Sequence, residues 1–324
     1  MKNILLLSGG GGTEHEISLI SSSFIRSQLP SEYKVIEVTV DKHFHWSSSG
    51  ESCELNFKKE LITQEQKIKI DFAIPCFHGT PGETGEIQAY FELIQLPYLG
   101  CNPETSLLCF NKLSTKLWLE KVGIKTTPFH IVKDLTTLEI EKATEFMSQH
   151  QTVYVKATNQ GSSVGCYRCV NSQELESSLK EAFNFSPYVI IEKEIIGREL
   201  EVAIFEHNDK VHITKPGEID CPSNFYSYEE KYNENSKTTT HVEAPNITDL
   251  HLDEIYRQAT AAYHILKLRH LSRVDFFLAD SGEVFINEIN TFPGHTKISM
   301  FPMMMQNYGI EYSEWIKQII TELS

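Results

Sequence analysis

The stretch RVDFFLADSGEVFINEIN, residues 273–290, carries two apolar runs on either side of Ser281-Gly282. That pattern predicts a β-hairpin with a two-residue turn. With such a turn Asp280 faces Glu283, and counting outward sets Asp275 opposite Glu288 and Arg273 opposite Asn290. Side chains alternate across a strand, so these four converge on one face while Phe276, Leu278 and Ile289 point to the other. Two carboxylates and an amide oxygen on rigid strands are hard ligands suited to Mg²⁺ or Mn²⁺. A plain wet strand face, with Arg273 paired to Asp275 or Glu288, fits the same pattern. The segment TFPGHT that follows (291–296) puts Pro and Gly where the backbone turns tightly beside this face, which favours a cation site.

Working outward, Lys156 ends the strand-like run TVYVK (152–156), just before Gln160-Gly161-Ser162-Ser163-Val164-Gly165. Glycines let a backbone approach an anion closely, and serine hydroxyls and amides donate to phosphate oxygens. No Gly-Lys-Ser/Thr follows, so this is not a Walker A loop, and most Gly/Ser loops are plain turns. The earlier run Gly9–Gly12 lacks the third spaced glycine of a dinucleotide fingerprint, which excludes a nicotinamide dehydrogenase. It leads into acidic Glu14, a better neighbour for an ammonium group than for pyrophosphate. Thr13 and Glu16 have capping-box spacing for a helix from Ile17 onward.

Strands are expected at 4–8, 34–40 and 71–77, the last running into His78-Gly79, an alternation that predicts a parallel α/β domain with ligands at the strand C-termini. Residues 97–103 carry the punctuation of a boundary. Helices are expected at 104–121, 135–149, 173–183, 250–267 and 312–322. Strands are expected at 152–156, 166–170, 188–192, 199–205 and 210–215. Residues 221–243 are polar, Tyr-rich and too long for an ordinary connection, as lids are.

The formal charge is −15, from 29 basic and 44 acidic residues, which argues against nucleic acid and anionic membrane as partners. The apolar run at the N-terminus is too short for a signal-peptide core, and nothing later reaches the length of a membrane span. Seven cysteines without a framework suit a reducing compartment, so a cytoplasmic location is expected. Cys166 and Cys169 form one C-x-x-C with no second ligand pair for zinc. Two small residues in a strand describe them better than a redox pair does.

Eight blocks in order, GGGGTEHEIS, HGTPGETGEIQ, FNKLSTK, VKATNQGSSVG, IEKEIIGRELEV, FYSYEEKY, RVDFF and NEINTFPGHTKISMFP, resemble the D-alanine–D-alanine ligases of the ATP-grasp superfamily over nearly all 324 residues. The resemblance implies an N-terminal α/β domain at 1–100, a central ATP-grasp subdomain at 101–195, and a C-terminal one at 196–324 with a lid at 221–243. It implies a homodimer that joins two D-alanines with ATP and Mg²⁺ or Mn²⁺, two ions, through an acyl phosphate.

On the matching positions it puts the nucleotide at Lys112, Lys156, Ser163, Glu192, Lys193, Ile195, Glu199 and Lys231, and the metal at Asp275, Glu288 and Asn290. The first D-alanine falls at Glu14, with His78 nearby. Ser162 and Tyr232 join Glu14 in tying the lid, Arg273 and Gly294 face the reacting carbonyl, and Ser299 and Met300 hold the second carboxylate. Tyr232 favours an amine over a hydroxy-acid acceptor. Four positions depart from the family pattern: Asn111 and Ser227 for Asp, Thr84 for Asp, and Ala157 for Pro. The alternatives are a related ligase with another D-amino or hydroxy acid acceptor, such as D-serine or D-lactate, and a non-catalytic nucleotide-binding relative.

Overall fold

The computed structural model describes residues 1–221 and 238–324. The run Ile4–Leu7 is completely buried because its strand, Asn3–Gly9, lies between two parallel neighbours, Lys34–Val40 and Phe72–Cys76. Trp46–Ser48 and Glu51–Ser52 extend this sheet antiparallel at one edge. Alternate residues serve opposite cores: Leu5 and Leu7 pack with Leu61, Ile68 and Phe91, whereas Ile4 and Leu6 pack toward the C-terminal helices.

The first helix is His15–Gln28. The expected Thr13–Glu16 capping box does not define its start, because Glu14 occupies the capping position and its side chain makes no capping bond. The anchor is Ser18, whose hydroxyl accepts from the Gly9 amide at 2.7 Å and donates to the Cys76 carbonyl. Tertiary bonds to two strand ends thus replace a local cap. Gly9 has φ +93°, and a Cβ there would lie 2.2 Å from the Val40 carbonyl, so only glycine fits.

The chain then builds two antiparallel sheets. The first, ordered Cys166–Cys169, Val153–Ala157, Val189–Lys193, Phe129–Val132, is covered by helices Thr137–His150 and Ser172–Ala182. The second contains Thr239–His241, Gly217–Asp220, Gly197–His207, Leu271–Ala279 and Val284–Asn290, with Lys210–Ile213 also on Gly197–His207. Its even-numbered residues Leu200, Val202 and Val274 pack under helix Asp249–Ile265. Ala203, Phe205 and Leu271, on the other face, join Met300, Phe301 and Trp315 of helices Met300–Asn307 and Tyr312–Leu323. That cluster also includes Ile4, Leu6 and Ile74, so one continuous core welds the last sheet to the first.

Three expectations are corrected. The helix at 104–121 is two helices, Pro103–Phe110 and Lys112–Lys121, because Asn111 turns to extended backbone and its side chain accepts from the Ser114 amide at 3.0 Å. Helices Glu86–Leu93 and Met300–Asn307 were not foreseen. The hairpin turn has three residues, not two: Ala279 faces Glu283, the Gly282 amide donates to the Ala279 carbonyl at 2.8 Å, and Gly282 has φ +86°. Asp280 therefore does not face Glu283. A β-bulge offsets the extra loop residue, since Phe276 pairs with Ile286 and Asp275 with Glu288, which leaves Asn287 as the additional residue. Beyond the bulge the expected pairs Asp275–Glu288 and Arg273–Asn290 stand. Among the described residues no helix is long and apolar enough to cross a membrane.

Candidate active site

Arg273, Asp275, Glu288 and Asn290 lie on one sheet face, and all but Asp275 line the adjoining cavity. Arg273 donates to both Asp275 oxygens, at 2.7 and 2.8 Å, and approaches Glu201 at 3.4 Å. The Asn290 amide donates to Asp275 at 3.0 Å. Glu288 pairs with Lys112 at 3.1 Å. The face thus has the convergence expected of it and also the Arg273–Asp275 pair of the plainer reading. Glu201, opposite Asp275 on the neighbouring strand, is a fifth member that the sequence pattern did not single out.

The donor set fits a divalent cation, because two carboxylates stand directly across a ladder with an amide on the same face, already drawn together by cationic side chains. Among the described residues no group of three or more His, Cys, Asp and Glu side chains is gathered closely enough to hold a metal, this face included, so the donor set here is two carboxylates and an amide.

Opposite this face stands the central sheet. Lys156 donates to Glu192 at 2.7 Å, and Lys116, from helix Lys112–Lys121, pairs with the other Glu192 oxygen at 3.0 Å. Burial would raise the Glu192 carboxyl, but the two lysines hold it below its ordinary value. The bulge residue Asn287 reaches the same lysine, with Lys156 Nζ 3.4 Å from its Oδ1. Neither Lys116 nor Asn287 was singled out from sequence, although Lys116 stands four residues after Lys112 and so shares its helix face.

The glycine loop is closed by its own amides, Val164 to the Gly161 carbonyl at 3.0 Å and Cys166 to that of Ser163 at 3.3 Å. Ser162 and Ser163 both have left-handed backbone, φ 48° and 60°, a local strain of about 1–3 kcal/mol each. Lys112 Nζ donates to the Gln160 carbonyl at 2.8 Å, which ties the loop to the helix. A Cβ on Gly161 would lie 3.4 Å from a Glu14 carboxylate oxygen, so loop tip and Glu14 are adjacent.

Two of the departures from the family pattern have local explanations. Asn111 donates its amide to Asn159 at 2.6 Å, and the Ala157 amide donates to the Gly165 carbonyl at 2.8 Å, a bond proline could not make. Thr84 donates to Glu86. Ser227 lies outside the described residues, as do Lys231 and Tyr232.

A single cavity of about 1290 Å³ is lined by Glu14, His78, Lys112, Ser162, Arg273 and Glu288, and further along by Asn290, Gly294, Ser299 and Met300. Lys156, Ser163, Glu192, Lys193, Ile195 and Glu199 do not line it; Lys156 lies behind it and connects through Asn287. Lys193 is exposed at its strand end, and Ile195 and Glu199 are half-buried.

At the other end of the cavity His78 contacts the Ser21 hydroxyl at 2.8 Å, and burial lowers its affinity for a proton. Glu83, unnoticed in the sequence, also lines it. Its carboxyl accepts from the Gly79 amide at 2.8 Å, and burial, with Glu14 nearby, raises its pKa to about 8. Gly294 abuts Ser299, whose hydroxyl accepts from the Thr296 amide at 2.9 Å at the start of helix Met300–Asn307.

Two antiparallel sheets gripping a lysine-lined cleft, next to a parallel domain that supplies an acid and a histidine, define an ATP-grasp ligase. The sequence comparisons narrow that class. A family model for the D-ala D-ala ligase N-terminus matches residues 3–101, and one for the D-ala D-ala ligase C-terminus matches 118–321. The D-alanine–D-alanine ligase of Shewanella halifaxensis is 47% identical over 322 residues, covering 97% of this chain and 96% of its own length. That of Shewanella piezotolerans is 48% identical over 321 residues, with the same coverage of each chain.

Among solved structures, D-alanyl-alanine synthetase A from Vibrio cholerae superposes with a TM-score of 0.95 at 44% identity, over 99% of this chain and 98% of that one. The VanG D-Ala:D-Ser ligase from Enterococcus faecalis gives 0.87 at 27% identity, over 100% and 99%. The chain belongs to the D-alanine–D-alanine ligase family. It is an enzyme that joins two D-alanines with ATP, the reaction that serves peptidoglycan precursor synthesis, and the family uses ATP and a divalent metal.

Proposed function

We propose that this ligation runs in the cavity of about 1290 Å³ between the three parts of the chain, with the residues in the roles their positions suggest. The observation that carries the reading is the union, in one cavity, of Glu14 and His78 with Arg273, Glu288 and Asn290. Asp275, Glu288 and Asn290 hold Mg²⁺ or Mn²⁺, two ions, which supply charge neutralisation of the triphosphate when bound.

Lys112 and Lys156, with Lys231 from the lid, position phosphate oxygens. Ser163, Glu192, Lys193, Ile195 and Glu199 hold the rest of the nucleotide. Glu14 takes the ammonium of the first D-alanine, beside His78, and orients its carboxylate for phosphorylation. Arg273 is fixed by Asp275 and Glu201, and with the Gly294 amide it faces the oxyanion that forms when the second amine attacks the acyl phosphate. Loss of one such donor typically costs about 10²–10³ in rate. Ser299 and Met300 receive the second carboxylate. Ser162 and Tyr232 hold a closed lid over Glu14 and so exclude water from the acyl phosphate.

We divide the chain at 1–100, 101–195 and 196–324, and place it in the cytoplasm as a homodimer with no membrane or nucleic acid partner. Its seven cysteines, scattered without a disulfide framework, agree with a reducing compartment. The test is ADP release measured with D-alanine, L-alanine, D-serine and D-lactate side by side. D-Alanine should give the highest turnover, with the dipeptide identified by mass. Preferred use of D-serine or D-lactate would replace this reading with a related acceptor, and nucleotide binding without D-alanine-dependent ADP release would replace it with a non-catalytic role.

A further inference from the structure

Helix Lys112–Lys121 presents lysines at its first and fifth positions, which share one helix face. Lys112 reaches Glu288 at 3.1 Å and lines the cavity. Lys116 is 1% exposed and lies outside the cavity lining. Its ammonium pairs with Glu192 Oε1 at 3.0 Å, donates to the Thr127 carbonyl at 3.3 Å, and lies 5.4 Å above the centre of the Phe129 ring. Glu192, 2% exposed, receives Lys156 on its other oxygen at 2.7 Å. A buried carboxylate therefore stands between two lysines that come from different elements.

The two lysines are not equivalent. Lys156 is also within 3.4 Å of Asn287, the bulge residue next to Glu288, so it is the lysine that borders the phosphate end of the cleft. When a phosphate draws Lys156 away, Glu192 loses one of its two counter-charges, and a buried carboxylate without a cation is strongly disfavoured. Lys116 stays behind, held by the Thr127 carbonyl and the Phe129 ring. We propose that Lys116 is a positioning residue for nucleotide binding: it keeps Glu192 ionised and in place, so that Lys156 can engage phosphate. The helix then acts as one bar that secures both sides of the cleft, Glu288 through Lys112 and Glu192 through Lys116. This rests on reading Lys156 and Glu192 as nucleotide contacts.

The experiment measures Mg²⁺–ADP affinity by calorimetry, and KM for ATP and for D-alanine, in the full chain. Lys116→Met should weaken ADP binding and raise KM for ATP by about tenfold or more, the scale of a lost charged hydrogen bond. KM for D-alanine should stay within about twofold, because only nucleotide binding is touched. Lys116→Arg should restore most of the ADP affinity. In a Glu192→Gln background Lys116→Met should add little. ADP affinity unchanged in Lys116→Met, with only a lowered melting temperature, would overturn the proposal, and so would an equal loss in the Glu192→Gln background. Should Lys116→Met fail to fold, the double variant set against Glu192→Gln decides, equal ADP affinities supporting the proposal and a further tenfold loss overturning it. Lys156→Met is the control. If it binds ADP normally, the nucleotide-site reading itself falls, whereas weak binding there beside normal binding in Lys116→Met sinks only the role of Lys116.

Discussion

Burial sets the protonation of His78 and Glu83, which line the cavity together with Glu14. Glu83 is raised to about 8, first by desolvation and then by the neighbouring Glu14 carboxylate. Its folded value lies above the ordinary 4.5, so the folded form holds the proton more tightly than the unfolded chain. This contribution to stability is complete below about pH 4.5 and is lost as pH rises toward 8. Glu83→Gln should therefore flatten the decline in melting temperature between pH 5 and 8, and an unchanged slope would contradict the assignment. On the opposite face, Glu288→Gln should abolish turnover while circular dichroism shows an intact fold, and near-normal ADP release would refute the metal role. The residues legible beforehand, Asp275, Glu288 and Asn290, were legible because strand alternation assigns faces from sequence alone. Glu83, Glu201, Lys116 and Asn287 were not, because each meets its partners only across other elements.

At the scale of elements, the break at Asn111 matters for function. Its side chain caps helix Lys112–Lys121, the helix that carries Lys112 to Glu288. Asn111→Ala should cost about 1 kcal/mol of stability. The melting temperature should fall by about 2 °C, and KM for ATP should rise as the first turn frays. Scanning calorimetry and steady-state kinetics check both, and a normal KM would separate the cap from the site. A continuous helical pattern over 104–121 concealed this break, because periodicity records which face is apolar and not where one helix hands over to the next.

The hairpin shows the opposite case. Its turn is one residue longer than Ser281-Gly282 suggests, yet the bulge at Asn287 restores the pairing of Asp275 with Glu288. The expected register at the site is therefore correct through two features, neither of which was foreseen. A true two-residue loop does occur at Asn208-Asp209, where both residues are left-handed and His207 faces Lys210.

For the whole molecule, the decisive contact is the return of the chain end to its beginning. Trp315 is fully buried between Phe301 and Tyr312 and donates to the Glu206 carbonyl at 2.9 Å, in a cluster that also holds Ile4 and Leu6. Trp315→Ala should destabilise the protein by about 3–5 kcal/mol. It should loosen the C-terminal sheet from the N-terminal one, read as a lower denaturant midpoint and weaker D-alanine use. A drop below about 1 kcal/mol, the scale of a surface change, would show that the two ends are not joined through this core.

From its order alone the sequence determined the parallel strands of the first sheet, most helices and the polar face of the last hairpin, because alternation and turn chemistry act within a few residues. The ligase family came from the resemblance of its motifs, and strands such as Phe129–Val132, Gly217–Asp220 and Thr239–His241 were not foreseen. Only the tertiary structure decided that Glu192 takes two lysines and that Asn287 bulges toward Lys156. Such contacts join residues tens to more than a hundred positions apart. Their energies depend on burial and charge that exist only once the sheets face one another.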